Sequence, residues 1–196
     1  RRVLFRSIKV LLINGSPRVN GNTSHMLQWV REGLEKEGIE VELYQLGGKT
    51  IKPCRSCWQC MKTGKCFQED PVVDTLVEKV KECDGIVVGS PTYYADVPME
   101  VKGMIDRVGL IAGKYMARKV GAAVVMARRG GAIHVYDTIN HWFGINNMYI
   151  VGSSYWNDGY NRDVLRKDEV LEDAEAHNTM NNLAANMAHL LKKLHA

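Results

Sequence analysis

Short apolar runs alternate with amphipathic stretches along this chain, and that alternation narrows the possible folds more than any other feature of the sequence. Residues 8–15 (IKVLLING) are a compact apolar run closed by glycine, the pattern of a strand covered on both faces. Residues 24–38 carry Met26, Leu27, Val30 and Leu34 at helical spacing, with Gly38 as a stop signal. Residues 41–46 (VELYQL) alternate as a second strand, and residues 70–84 read as a helix that Asp70 caps and Pro71 begins. Residues 85–91 (GIVVGSP) and 119–127 (KVGAAVVMA) are further buried strands, separated by a helix over 98–109. A helix over 131–146, a fifth strand over 148–154 (MYIVGSS) and a long amphipathic helix over 168–195 complete the series.

The alternation runs without a proline-rich linker, an internal repeat or a break in composition, so residues 8–196 are expected to form one domain. Parallel strands joined by helical crossovers give an α/β fold: a doubly wound five-stranded parallel sheet with helices on both faces, three layers α/β/α. Five strands favour the flavodoxin-like order over the larger dinucleotide-binding sheet. Ligands of such sheets sit beyond the carboxyl ends of the strands, which directs attention to the loops after strands one, three and four.

The 196 residues are enough for a core without disulfide or metal staples, and 45% hydrophobic against 24% charged content is an ordinary globular balance. Residues 1–7 (RRVLFRS) lack an initiator Met and precede the first strand abruptly, so they read as a non-native leader. Without Arg1, Arg2 and Arg6 the formal charge of +4 reduces to 23 basic against 22 acidic residues. No basic patch then argues for nucleic acid, and no apolar run approaches the ~18 residues of a membrane span. Five cysteines, an odd number with four of them clustered, suit a reducing cytoplasm better than a disulfide framework.

Residues 14–24 (NGSPRVNGNTS) join the first strand to the first helix. They offer the hydroxyls of Ser16, Thr23 and Ser24, the Asn22 amide, Arg18, and the N–H groups of a helix start, a set suited to cradling an anion. No Gly-Lys-Ser/Thr follows, as a triphosphate loop needs, and G-x-G-x-x-G is absent. A terminal monophosphate, such as that of FMN, fits best; a polar turn over a capped helix is the plain alternative.

This GSPR..GNTS loop and residues 89–107 (GSPTYYADVPMEVKGMIDR) resemble the phosphate loop and second flavin loop of NADPH-dependent FMN reductases and the related iron-sulfur flavoproteins. The resemblance covers nearly the whole chain after residue 7. It implies that Pro91, Thr92, Tyr93, Tyr94 and Ala95 line an isoalloxazine ring, a flat amphipathic ligand that needs aromatic or apolar surface. In residues 127–132 (ARRGGA), Ala127, Gly130 and Gly131 let backbone approach a planar ligand, and Arg128 or Arg129 brings positive charge toward its polar edge.

Cys54, Cys57, Cys60 and Cys66 fall within residues 53–66 at the spacing C-x2-C-x2-C-x5-C. Thiolates this close together suit a compact cubane cluster; zinc and metal-free thiols are the other readings. The loop resembles the [4Fe–4S] segment of iron-sulfur flavoproteins and occupies the corresponding place. Cys83, alone on an apolar helix face, reads as a small buried hydrophobe.

The chain is therefore expected to be a cytoplasmic FMN-dependent oxidoreductase. Electrons would pass from NAD(P)H or a ferredoxin-like donor to a small-molecule or protein acceptor, and no dedicated catalytic residue is needed. The resemblance implies a homodimer or homotetramer. The rival class is a non-catalytic metal-binding or thiol redox-sensing module on the same scaffold.

Overall fold

The computed structural model describes residues 7–196, and the expected leader falls outside the described residues except for Ser7. Strands β1 (Lys9–Asn14), β2 (Glu40–Gln45), β3 (Gly85–Pro91) and β4 (Val120–Ala127) pair in parallel. With β5 (Tyr149–Ile150) the order across the sheet is β2-β1-β3-β4-β5, the flavodoxin-like arrangement, and β6 (Asp158–Tyr160) also pairs with β4. The helices are α1 (Asn22–Lys36), α2 (Gln59–Thr63), α3 (Pro71–Glu82), α4 (Met99–Ala112), α5 (Ala132–Ile145) and α6 (Ala174–Leu194).

Strand periodicity divides the apolar residues between two cores. Leu11 and Ile13 of β1 point into one core with residues of α3, α4 and α5; Val10 and Leu12 point into the other with α1 and α6. Each such side chain gains about 1.5–3 kcal/mol on leaving water, so a one-residue slip of β1 would misplace the whole set. Three layers result because both faces of the sheet are apolar.

Local capping follows the sequence. Asp70 accepts hydrogen bonds from Val72 N and Val73 N at 3.2 and 3.4 Å, and Pro71 opens α3. Cys83 is buried in the core beside α3. The long terminal helix starts later than its periodicity suggests: a short 3₁₀ turn spans Glu169–Glu172, and Asp173 then caps α6 by accepting from Ala176 N at 2.9 Å.

The edge position beyond β4 is split, where the sequence suggests one continuous strand over 148–154. Val120 and Gly121 pair with Tyr149 and Ile150, whereas Val125 to Ala127 pair with Asp158 to Tyr160. Between these two short strands the chain is drawn off the sheet toward α6. There Ser153 Oγ donates to Thr179 O at 2.7 Å, and Gly152 O accepts from Asn186 Nδ2 at 3.1 Å. It returns where Asn157 O accepts from Val125 N at 2.8 Å. The detour delivers residues 161–166 to the carboxyl end of the sheet.

Candidate functional site

The first loop is built on buried amides. Asn14, fully buried at the end of β1, accepts from Ser16 N at 3.0 Å and donates to Gln45 Oε1 at 2.8 Å. Gln45 Nε2 donates in turn to Ser16 O at 2.7 Å and Gly47 O at 2.9 Å. A Cβ on Gly47 would lie 2.2 Å from the Ser16 carbonyl carbon, so this backing requires glycine. Ser16 Oγ accepts from Arg18 N at 3.2 Å.

The start of α1 lies against this turn. Its cap residue, Gly21, offers no side-chain acceptor, and the first turn contains no acidic residue. Asn22 and Thr23 are buried, so the leading N–H groups and the positive end of the helix dipole stand unneutralised. They face a cavity of about 160 Å³ whose wall also includes Ser16, Thr92 and Arg128. That volume suits the phosphate end of a cofactor and not the whole of one.

The second loop contributes Pro91, Thr92 and Tyr93 to the same wall. Thr92 N donates to Met126 O at 2.8 Å, while Thr92 Oγ1 is buried with no hydrogen-bond partner. A buried hydroxyl left unsatisfied costs about 1–3 kcal/mol, so it marks a place where a ligand acceptor fits. Tyr93 and Asp96 exchange backbone hydrogen bonds at 2.8 and 3.0 Å, closing a tight turn with Tyr94 and Ala95 at its tip. Both tip residues are left-handed, φ 48° and 62°, where glycine or asparagine is the usual choice. The turn is braced from the third loop: a Cβ on Gly131, itself at φ 88°, would lie 2.9 Å from Ala95 Cα.

Eight of the fourteen sequence-derived cofactor residues thus line one cavity: Ser16, Arg18, Asn22, Thr23, Pro91, Thr92, Tyr93 and Arg128. Ser24, Tyr94, Ala95, Ala127, Gly130 and Gly131 stand behind or beside it. Two of the polar side chains are already committed elsewhere. Asn22 Nδ2 donates to Arg166 O at 2.9 Å and its Oδ1 accepts from Val170 N at 3.0 Å, while Arg18 Nη1 donates to Val164 O at 2.8 Å. Both therefore tie the returning 161–170 segment to the cradle. Met126, Asn161 and Val164 line the cavity without having been singled out as cofactor residues. Asn161 lies within the aromatic, Gly/Asn-rich stretch that follows the expected fifth strand, and that composition was its only signal.

The cysteine loop occupies a different groove. Cys54, Ser56 and Trp58 line a space of about 740 Å³ together with Ile105 and Leu110 of α4 and Trp142 of α5, and no cysteine reaches the first cavity. Cys54 and Cys57 are exposed, and Cys60 and Cys66 half-buried against the core. Burial pushes the Cys60 thiol up, and the neighbouring charges of Cys66, Cys54 and Cys57 push it further. Ser56 and Trp58 are left-handed, at φ 50° and 59°, and Ser56 N donates to Cys54 Sγ at 3.4 Å. The donor set and its N–H···S bond have the chemistry of a thiolate-bound cluster. Among the described residues, however, no three His, Cys, Asp or Glu side chains are gathered into a metal-binding group.

An uncapped helix start beneath serine and threonine hydroxyls, at the carboxyl edge of a 2-1-3-4-5 sheet, defines a flavodoxin-like protein with a cavity chemically suited to an anion. The chain belongs to the NADPH-dependent FMN reductase family, whose pattern matches residues 8–163. It is 38% identical over 150 residues to an iron-sulfur flavoprotein of Methanocaldococcus jannaschii, covering 75% of this chain and 77% of that protein. An iron-sulfur flavoprotein of Archaeoglobus fulgidus is 30% identical over 196 residues, 93% of this chain and 96% of its own. In fold, the crystal structure of RosB with a bound intermediate superposes with a TM-score of 0.76 at 20% identity, over 96% of this chain and 80% of that one. Membership of the family makes this protein an FMN-dependent oxidoreductase. Among the described residues no helix is long and apolar enough to cross a membrane.

Proposed function

We propose that this chain passes electrons from NAD(P)H or a ferredoxin-like donor through FMN to a small-molecule or protein acceptor, with a [4Fe–4S] cluster on Cys54, Cys57, Cys60 and Cys66. The observation that carries the flavin reading is the uncapped start of α1 beside the orphaned Thr92 hydroxyl. When bound, FMN supplies the two-electron and one-electron chemistry. The protein's share is binding and orientation. The leading N–H groups of α1 and the hydroxyls of Ser16 and Thr23 donate to phosphate oxygens, and Thr92 Oγ1 donates to an acceptor farther along the cofactor. Tyr93 and the braced Tyr94–Ala95 tip offer a surface for the ring, and Arg128 places a cation at the end of β4. The four thiolates would hold the cluster, and the iron-sulfur flavoproteins among the relatives support that reading. Exposed Trp58 and Ile145 in the cysteine groove support a homodimer or homotetramer in which this loop meets the flavin site of another copy, and the odd, clustered cysteines support a cytoplasmic setting.

Thr92→Val is the direct test, because it removes a buried hydroxyl without removing an internal bond. FMN affinity falls about tenfold by titration while the midpoint of the cofactor-free chain holds or rises. Unchanged affinity would count against the cradle. Anaerobic purification with iron and sulfide assay reads the cluster directly; zinc or bare thiols in its place would favour the metal-binding or thiol-sensing alternative.

A further inference from the structure

Residues 161–166, delivered to the carboxyl end of the sheet by the split edge strand, form one side of the first cavity. Asn161 and Val164 stand in its wall together with Ser16, Arg18, Asn22 and Thr23. Asn161 N donates to Ala127 O at 3.0 Å, which fixes the point where the segment leaves the sheet.

The segment is pinned along its whole length. One oxygen of Glu169 accepts from Arg162 N at 3.0 Å and the other from Asp163 N at 2.9 Å. Asp163 O accepts from Asn161 Nδ2 at 3.0 Å and from Arg166 N at 3.1 Å, and Asp163 Oδ1 accepts from Leu165 N at 2.9 Å. The cradle holds the far part: Arg18 donates to Val164 O, and buried Asn22 donates to Arg166 O. Backbone groups paired in this way make a fixed wall that is in place before a ligand arrives.

The consequence is steric and electrostatic. The cavity holds about 160 Å³, room for a terminal phosphate and little more. FMN ends at that phosphate. FAD continues through a second phosphate into an adenosine, and on the cradle side that extension meets Val164 and the Arg18 bond. The start of α1 offers one set of N–H groups, and Arg18 is already engaged with Val164 O, so a second phosphate forced in there lacks partners of its own. A wall that clashes with the larger ligand and leaves its charge unpaired discriminates by rejection.

We propose that residues 161–166 are a fixed strap that selects FMN over FAD, with Val164 obstructing the second phosphate and Glu169, Asn22 and Arg18 positioning the strap. The proposal rests on the flavin reading of the cavity. Calorimetric titration of the cofactor-free full chain with FMN, and separately with FAD, reads the selectivity as a ratio of affinities. The parent prefers FMN by about a hundredfold or more. Val164→Gly removes a half-exposed side chain, and Glu169→Ala releases Arg162 N and Asp163 N. Each narrows the ratio about tenfold by strengthening FAD binding, whereas a merely structural loss weakens both flavins together and leaves the ratio unmoved. A parent that binds FAD within about tenfold of FMN overturns the proposal, as does a ratio within about twofold of the parent's in both variants. Uptake of neither flavin by the parent refutes the flavin reading itself, whereas equal uptake of both refutes only the strap.

Discussion

Arg107→Met tests how the cysteine loop is tied to the fold. Arg107 of α4 is 1% exposed and forms an ion pair with Asp70, which is 5% exposed. Its guanidinium also donates to Lys52 O at 3.2 Å and Gln68 O at 3.0 Å, the two residues that flank the loop. Asp70 accepts from Lys52 N at 3.3 Å while capping α3. One buried pair therefore holds both ends of the loop and the start of the next helix. Methionine keeps most of the volume but leaves the Asp70 carboxylate buried without its cation, a change that costs about 3–5 kcal/mol. The two carbonyls lie near solvent and can turn to water, which limits any further loss. For a chain of this size each kcal/mol moves the midpoint by about 2–4 °C, so the expected drop is about 6–20 °C. Asp70→Asn leaves the opposite orphan and is destabilising for the same reason. Combining the two removes both charges and recovers at least about 1 kcal/mol relative to additivity. Thermal unfolding by circular dichroism on the parent, both single variants and the double variant measures the cycle. A drop below about 2 °C for Arg107→Met, or strictly additive losses, would refute the clasp.

Two further outcomes follow from burial and backbone strain. Burial pushes the Cys83 thiol from an ordinary 9.0 up to about 11. Between those values the unfolded chain gives up a proton that the folded chain keeps, so stability present below pH 9 is lost as pH rises, with a slope of up to about 1.4 kcal/mol per pH unit. Cys83→Val flattens that part of the curve in denaturant titrations, and an identical slope in parent and variant would exclude Cys83 as its source. Tyr94→Asn with Ala95→Gly relieves two left-handed residues at an exposed turn and raises stability by about 1–2 kcal/mol. A lower melting midpoint in the cofactor-free chain would mean that the turn is not strained.

Much of this protein was legible without coordinates because its strongest signals are local. Period-2 and period-3.6 patterns reveal which residues face a core, and Asp70 with Pro71 marks a helix start through bonds spanning only three residues. The Ser16 turn and the start of α1 were placed together for the same reason, since they lie within one loop. The cysteine spacing suggests a donor set, but among the described residues the side chains are not gathered into a metal-binding group.

What the sequence determined alone was the layer order, the two cores and the end of the sheet where ligands gather. Tertiary structure decided how polar groups were assigned, because a side chain's partner depends on what folds against it. Asn22 and Arg18 look like phosphate donors in sequence, yet they hold residues 164–170 from more than a hundred positions away. Arg107 looks like one more charge on a helix, and only the packing of α4 against the loop ends makes it a buried clasp. The split edge strand depends on pairing between β4 and β6, a competition with α6 for backbone hydrogen bonds that no local pattern records.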